Sequence, residues 1–511
     1  MNVSSAALRR VAMGIAVILP AAALAQPGTW ALTNARIETV TKGVIEKGTI
    51  VIRDGLIAAV GADVAIPADA RVLDLSRRTV SPGLIDLTST LGMPVAAAPA
   101  GGGGGGRGAA TGAGNEPRFN GLDPNRVAAD ELRVMPADAR ATREAGVTAV
   151  LVAPGRGALR GLSAFVPMRD SASGTDALRS PVAEHFGFQG SQSGYPQTIM
   201  GVIAYQRQSL FDARRHGQIQ DRWRASPRGL TRPENDAKLD ALVPVVRGAL
   251  PAFYEANNEN EIRRAVKVGK EFDLKLTIVG ATEGFKAIDA LGGRPVIVSV
   301  NFPRPAQSTG WSYRQSTRHT PGDSAAAARE ATKSLEGNAA ALNKAGIKFA
   351  LASGGARPAD FVANVRKAVA AGLPADVALQ AVTIRAAEMA GLGEALGSIE
   401  VGKIANFVVT ESGGILSDSA KVRAVFIDGT RYEITAAPAA RAAGPGGAGA
   451  SAEIGGAWRL TIDSPQGAQA ATMTVMQNGT TFSGRITGMP TGDMDVSDGR
   501  ISGKTDRKSV V

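Results

Sequence analysis

Short apolar runs separated by turns dominate the chain from about residue 30 onward. Apolar residues on both sides of Asp54-Gly55 predict a β-hairpin, because Asp-Gly readily adopts the positive φ angles that a two-residue hairpin turn needs. A second turn is predicted at Ser81-Pro82-Gly83, and the apolar run 84–87 after it is typical of a buried strand. β character returns much later in the chain, at 399–409 and 422–434.

Between these β segments, strand-like and helix-like patterns alternate over residues 132–391. The predicted strands are the apolar runs 147–153, 251–256, 274–279, 295–301 and 347–352. Amphipathic helices are predicted at 259–272, 326–345, 358–371 and 374–390. Alternation of β and α over this length predicts a parallel sheet, and the size favours a barrel; an open doubly wound sheet is the alternative.

The first 25 residues are predicted to be a secretory signal peptide and not part of the fold. Arg9 and Arg10 precede an apolar stretch that is too short to span a bilayer, and small residues follow as far as Ala25, where cleavage is expected. The mature chain is therefore expected to be periplasmic or secreted, without a transmembrane segment. The chain has no cysteine, which excludes disulfides, thiolate nucleophiles and thiolate metal ligands.

The net charge of +11 over 511 residues raises the question of a nucleic-acid partner. The arginines are scattered and form no basic stripe interleaved with aromatic residues, so no such partner is expected. A glycine-rich stretch at 98–117, which contains the run 101–106, lacks the regular spacing and following helix of a phosphate-binding loop. It is interpreted as a flexible insertion.

The composition changes again near the end of the chain. Residues 436–453 consist largely of Ala, Gly, Pro and Arg and are predicted to form a linker. Alternation from Trp458 onward, with a turn at Asn478-Gly479, predicts a small antiparallel β module over 454–511. A lone set of few strands is marginally stable in water, so the chain is expected to be truncated there.

Motifs on both sides of the central region resemble the amidohydrolase superfamily, and most closely its exported imidazolonepropionase-like members. They are 33–37, 52–57 and 80–86 at the start, and 378–383, 386–387 and 397–409 at the far end. The resemblance covers roughly residues 30–434. It implies an α/β fold in which a TIM-like (β/α) barrel, 83–396, is inserted in a small composite β-sandwich built from 26–82 and 397–435.

The resemblance also implies where catalytic metals would be bound. Members of this superfamily activate water on one or two divalent metals such as zinc, held at the carboxyl ends of barrel strands. The first two ligands form a His-x-His pair, and here those positions are Thr88 and Thr90. The later ligand positions align with Glu255, Gly280 and Gly354. Threonine is a poor zinc ligand and glycine has no ligating side chain, so no metal cofactor is expected.

The chain has three histidines, His185, His216 and His319, and none is at a matching strand end. His185 and His216 are predicted in loop or helix-end contexts. Glu255 and His319 are the remaining catalytic candidates. The simpler interpretation of Glu255 is a rim or helix-capping carboxylate, and that of His319 is a solvated loop histidine. Asp86 is interpreted as structural.

These features together predict an exported member of the superfamily that is catalytically degraded. By resemblance it would hydrolyse non-peptide carbon–nitrogen bonds, such as those of cyclic amides. The alternatives are an active hydrolase with an unconventional or single-metal site near Glu255, and a protein that acts through its C-terminal β module. A further alternative is a ligand-binding subunit that pairs with an active homologue. A small-molecule or short-peptide ligand and a homo-oligomer are both compatible with the sequence.

Overall fold

The computed structural model describes residues 28–94, 121–191, 194–302, 330–434, 455–464, 467–478, 481–487 and 494–500. The chain divides into two compact units, Met1–Thr435 and Ala436–Val511. The predicted signal peptide, glycine-rich insertion and linker, and the candidate His319, lie outside the described residues.

Strands account for much of the first unit. In chain order they are β1 Trp30–Glu38, β2 Val44–Arg53, β3 Leu56–Gly61, β4 Arg71–Asp74, β5 Thr79–Pro82, β6 Leu84–Ser89, β7 Arg133–Val134, β8 Val147–Val152, β9 Leu159–Leu162, β10 Ala164–Pro167, β11 Ala172–Ser173, β12 Glu184–Phe186, β13 Ala252–Ala256, β14 Leu276–Gly280, β15 Val296–Ser299, β16 Phe349–Ala352, β17 Phe407–Thr410, β18 Val422–Ile427 and β19 Thr430–Glu433.

The described helices all belong to this first unit. They include α1 Ala128–Glu131, α2 Pro136–Glu144, α3 Ile199–Ala225, α4 Ala237–Val246, α5 Glu259–Phe272, α6 Ile288–Leu291, α7 Asn338–Lys344, α8 Pro358–Ala370, α9 Ala375–Ala381 and α10 Ile384–Met389. Residues 330–336 are also helical. Short 3-10 turns lie at Gly174–Asp176 and Gly284–Lys286. No helix in the described ranges combines the length and the apolar character that crossing a bilayer requires.

One eight-stranded sheet joins the beginning and the end of the first unit. Its strand order is β19-β18-β17-β5-β1-β2-β3, and β4 pairs with β1. The predicted hairpin is confirmed: β2 and β3 pair antiparallel around Asp54 and Gly55, whose φ angles are +53° and +79°. Leu32, Ile50 and Phe426 are among the fully buried residues that form the core of this sheet.

The central region contains the predicted parallel pairing. Strands β12 to β16 are consecutive neighbours and run parallel in a six-stranded sheet, whose order is β16-β15-β14-β13-β12-β9. Strands β6 and β8 run parallel in a separate sheet of order β10-β8-β6. Helix α5 coincides with its predicted range, because Asn258 and Glu261 form a reciprocal capping box at its start and Ile262 and Val266 are buried on one face. Together these elements make a mixed α/β unit.

Two predicted helical features differ from the structure. The single stretch 374–390 forms two helices, α9 and α10, because the backbone leaves the helical region at Thr383, with φ −130° and ψ −97°. The 27-residue helix α3 lies outside the four predicted helical ranges. Exposed apolar residues on α3, including Met200 and Phe211, blur the amphipathic pattern that would have marked its length.

The second unit is a four-stranded antiparallel sheet. Its strands are β20 Gly456–Ser464, β21 Gly467–Asn478, β22 Thr481–Thr487 and β23 Met494–Arg500. Each strand pairs with the next along the chain. Ala471 and Val475 on β21 are buried.

Candidate functional site

The carboxyl ends of the central parallel strands bring together most of the predicted site residues. Because β13 to β16 run parallel, the residues that end or follow them lie at the same edge of the sheet. This edge carries Asn257, Gly280, Asn301 and Gly354. Strand β6 ends beside it, since hydrogen bonds connect Asp86 and Thr88 to the residues that follow β16. The strand-end site is defined here as this edge with the end of β6.

Hydrogen bonds at the strand-end site use the positions where the first metal ligands were expected. The Thr88 hydroxyl accepts a hydrogen bond from the Gly354 amide at 2.7 Å, so two predicted ligand positions contact each other directly. Oδ1 of the buried Asp86 accepts hydrogen bonds from the amides of Ser353, at 2.9 Å, and of Thr88, at 3.2 Å. The Asp86 carboxylate and the Thr88 hydroxyl therefore both connect β6 to the end of β16 through hydrogen bonds.

Two of the predicted ligand positions have no room for a side chain. A Cβ on Gly354 would lie 1.8 Å from the Ser299 hydroxyl oxygen and 2.9 Å from its Cβ. A Cβ on Gly280 would lie 2.2 Å from Oδ1 of Asn257. Both glycines also have positive φ angles, +61° and +93°, which side chains other than glycine rarely adopt. The positive φ angles and the packing at both positions therefore favour glycine, and a larger residue requires Asn257 or Ser299 to move.

Glu255, the remaining predicted ligand position, is engaged by an arginine that sequence reasoning missed. Nη1 of Arg160 on β9 donates a 2.5 Å hydrogen bond to Oε2 of Glu255 on β13. The Arg160 side chain is 11% exposed and also donates to the carbonyl oxygens of Pro154 and Gly155. Burial lowers the pKa of Arg160 and the Glu255 carboxylate partly offsets this, so the pair neutralises a buried cation. The available signal was an arginine within the otherwise apolar segment 158–162.

Thr90, the second residue of the expected His-x-His pair, lies away from these contacts. It is exposed and lines a cavity of about 650 Å³ together with residues of α2 and the start of α8. Serine and asparagine side chains complete the strand-end site. The Asn301 side-chain amide donates to the Gly354 carbonyl at 3.1 Å, and the Asn301 backbone amide donates to the Ser299 hydroxyl at 3.2 Å. The site is thus rich in hydroxyls and amides.

The structure corrects the predicted contexts of two histidines. His185 is in strand β12, 4% exposed, with its ring edge-to-face against Phe253, and its Nε2 has no hydrogen-bond partner among the described residues. Burial lowers its pKa well below the usual value. His216 lies within α3, with Nε2 2.9 Å from Oδ1 of Asp240. The strand around His185 has three residues and begins with the polar pair Glu184-His185, so no apolar pattern marked it, and the unexpected length of α3 placed His216 inside a helix.

The preceding strand residue, Glu184, is a second buried titratable group. It is fully buried and accepts a hydrogen bond from the Gly161 amide at 3.1 Å, while its Oε2 has no partner in the part of the chain that the structure describes. Burial raises its pKa well above the usual carboxyl value, which favours the neutral acid. Its neighbour His185 lies on the opposite face of β12, since adjacent strand residues point to opposite sides. The two groups therefore do not form a pair.

The catalytic metals of the superfamily do not fit these residues. Among the described residues, no three histidine, aspartate or glutamate side chains are grouped closely enough to hold a metal ion. At the predicted positions a threonine hydroxyl is hydrogen-bonded, two glycines exclude a Cβ, and the one carboxylate is paired with Arg160. A catalytic zinc is held by about three nitrogen, sulfur or carboxylate ligands and keeps an open position for water, and this donor set does not supply those ligands.

Comparison with known proteins gives matches at two levels. Residues 251–432 match the model of the amidohydrolase family. An imidazolonepropionase from Mesorhizobium japonicum is 44% identical over 62 residues, which is 10% of this chain. The match spans only 15% of that protein's length.

Among solved structures, an amidohydrolase from Thermotoga maritima has a similar fold. The TM-score is 0.63 at 24% sequence identity, and the alignment covers 79% of this chain and 100% of that one. At this identity the likeness concerns the fold alone. The family match begins at Pro251, immediately before β13, and so includes Glu255, Gly280 and Gly354 but not Thr88 or Thr90.

Proposed function

Because this chain belongs to the amidohydrolase superfamily, we propose that it is an exported member that has lost metal-assisted hydrolysis of carbon–nitrogen bonds. The observation that carries the proposal is that the residues at the predicted ligand positions are hydrogen-bonded to each other or closely packed. Thr88 and Gly354 hydrogen-bond to each other, and a side chain at Gly280 or Gly354 would overlap its neighbours.

The chemical argument concerns the activation of water. Hydrolysis of an amide near neutral pH requires a strong nucleophile, and a bound divalent metal supplies one by lowering the pKa of its water to about 7. This edge is rich in hydroxyls and amides, and its two carboxylates are engaged: Glu255 pairs with Arg160, and Asp86 accepts hydrogen bonds from two backbone amides. Such an edge lacks this capacity. Glu255 is not free to act as a general base, because its Oε2 is held by Nη1 of Arg160 at 2.5 Å.

The proposal includes the architecture and the location of the protein. We infer that the parallel sheets close into a TIM-like barrel, supported by the hydrogen bonds between β6 and the end of β16 and by the fold of the Thermotoga maritima amidohydrolase. The eight-stranded sheet from both chain ends supports a composite sandwich around it. Export is proposed from Arg9-Arg10, the apolar stretch and the cleavage position after Ala25.

Metal analysis combined with activity measurements tests the loss of hydrolysis. We expect purified protein to contain well below one equivalent of zinc, iron or manganese, and to hydrolyse neither cyclic imides nor dipeptides. Addition of each metal should leave both results unchanged. Stoichiometric metal with turnover that a chelator abolishes would overturn the proposal.

A double variant provides a second test of the same proposal. Thr88→His with Thr90→His returns the first two ligands but leaves Gly280 and Gly354 without ligating side chains, so turnover should stay at background. Glu255→Gln in the parent chain should likewise change no activity. Metal-dependent hydrolysis by the double variant would show that the remaining positions still complete a metal site.

A further inference from the structure

The cavity beside Thr90 adjoins the strand-end site, with which it shares Asp86 and Ser353, and part of its lining is apolar. Its volume is about 650 Å³, within the range of small-molecule pockets. Strands β6 and β8 form one wall, and α2 and the start of α8 form the other. The buried apolar residues of the lining are Met93, Val147, Val150 and Phe361.

Polar groups with unused bonding capacity are found at two depths of this cavity. Asp86 is 7% exposed, and its Oδ2 accepts no hydrogen bond from the described residues, since all its contacts use Oδ1. Arg133 lies at the exposed rim and donates to the Leu132 carbonyl, but it pairs with no described carboxylate. The cavity thus offers a buried anion and an exposed cation to a ligand.

The other charged groups of the lining are either paired or peripheral. Glu131 forms a two-point ion pair with Arg126, and Arg357 pairs with Asp360. Asp138 is exposed at the rim on α2. A ligand that enters therefore meets a cation that no described carboxylate pairs with, an under-bonded buried carboxylate, and apolar surface beside them.

We propose that this cavity binds a small zwitterion with an apolar side chain, of the class of free α-amino acids. Its ammonium group would donate to Oδ2 of Asp86, and its carboxylate would accept from the Arg133 guanidinium, whose planar donor geometry suits a carboxylate. The side chain would pack against Val150 and Phe361. Each contact satisfies a group that the described residues leave unmatched, and none involves the predicted metal-ligand positions other than the rim residue Thr90.

Calorimetric titration with L-leucine and two truncated analogues tests the pairing of both charges. Leucinamide lacks the carboxylate and 4-methylpentanoate lacks the ammonium group. We expect L-leucine to bind to the full chain with one site, and each analogue to bind at least tenfold more weakly, because each leaves one buried or rim charge without a partner. Equal binding of the three probes, or no binding of L-leucine up to 10 mM, would overturn the proposal.

Variants locate the site. Arg133→Gln should weaken L-leucine binding about tenfold or more while leaving leucinamide binding unchanged. Arg140→Gln, at an exposed position on α2 that does not line the cavity, is the matched control and should change affinity less than twofold. Thr90→Trp should block the cavity and abolish binding. Because Asp86→Asn also weakens the contacts to Ser353, its loss of binding counts only if its melting temperature is retained.

Failure of the cavity proposal can be distinguished from failure of the proposed loss of hydrolysis. If L-leucine occupies the strand-end site instead, Glu255→Gln will weaken its binding and Arg133→Gln will not, which would refute the cavity assignment. Metal content and turnover, measured separately, would remain unaffected by either result. The cavity proposal therefore fails or stands on binding data alone.

Discussion

At the scale of single residues, substitutions at the adjacent glycines Gly354 and Gly355 distinguish the effect of steric crowding from the effect of backbone conformation. Both have positive φ angles, +61° and +78°, so an alanine pays a similar conformational cost at either position. A Cβ on Gly355 meets nothing within 4 Å, whereas one on Gly354 overlaps Ser299. The difference between the two positions therefore measures the space available where the superfamily places a ligand.

We expect Gly354→Ala to lower the free energy of unfolding by about 1–3 kcal/mol more than Gly355→Ala, as is usual for an overpacked interior position. Urea denaturation of both variants measures this difference. Ser299→Gly in the Gly354→Ala background should recover part of the loss, because it removes both overlapping atoms. Equal destabilisation by the two alanines would mean that the strand end adapts easily and that the lost ligand position is still accessible.

At the scale of secondary structure elements, local sequence signals explain which predictions succeeded. Helix α5 has the predicted bounds because its capping residues, Asn258 and Glu261, and its apolar face are close in sequence. The hairpin at Asp54-Gly55 succeeded for the same reason. The break between α9 and α10 could not be predicted, since no proline or glycine marks it and the Thr383 conformation depends on the surrounding fold.

An arginine on α2 connects this helix to two other elements. The Arg143 side chain is 7% exposed, donates to the Met168 carbonyl and to Asp170 at 2.8 Å each, and lies 4.3 Å from the centre of the Tyr432 ring on β19. These contacts use the planar guanidinium for two hydrogen bonds and for stacking, which an ammonium group cannot reproduce together. Arg143 therefore links α2 to the eight-stranded sheet.

Arg143→Lys should lower the free energy of unfolding by about 1–3 kcal/mol, because one buried hydrogen bond and the stacking contact are lost. Arg140→Lys is the matched control on the same helix: its side chain is 69% exposed in an ion pair with Glu144, so the change should stay within about 0.5 kcal/mol. Chemical denaturation with both variants measures the difference. Similar values for the two would assign no linking role to Arg143.

At the scale of the whole molecule, the contacts that decide the candidate site connect residues distant in the sequence. Arg160 and Glu255 are 95 residues apart, and Thr88 and Gly354 are 266 apart. The residue types at Thr88, Gly280 and Gly354 could be recognised from motifs alone. Their crowding and pairing could not, because both depend on which strands become neighbours. Arg160 escaped notice for the same reason.

The two buried groups on β12 give the whole molecule a defined pH dependence. The folded-state pKa of Glu184 is raised well above 4.5, so above that pH the folded chain retains a proton that the unfolded chain loses, and stability falls as pH rises. The folded-state pKa of His185 is lowered well below 6.5, so below that pH the unfolded chain binds an extra proton, and stability falls as pH decreases.

The Glu184 effect begins above pH 4.5 and extends up to its raised folded-state pKa, and the His185 effect begins below pH 6.5 and extends down to its lowered folded-state pKa. Relative to the parent, Glu184→Gln should remove a slope of up to about 1.4 kcal/mol per pH unit that begins above pH 4.5, because one proton is involved. His185→Gln should instead remove the decline below pH 6.5. Urea denaturation across pH 4.5–8.5 measures all three curves. A Glu184→Gln curve parallel to the parent over this whole range would mean that Glu184 is ionised in the folded chain, and that its second oxygen has a partner such as water.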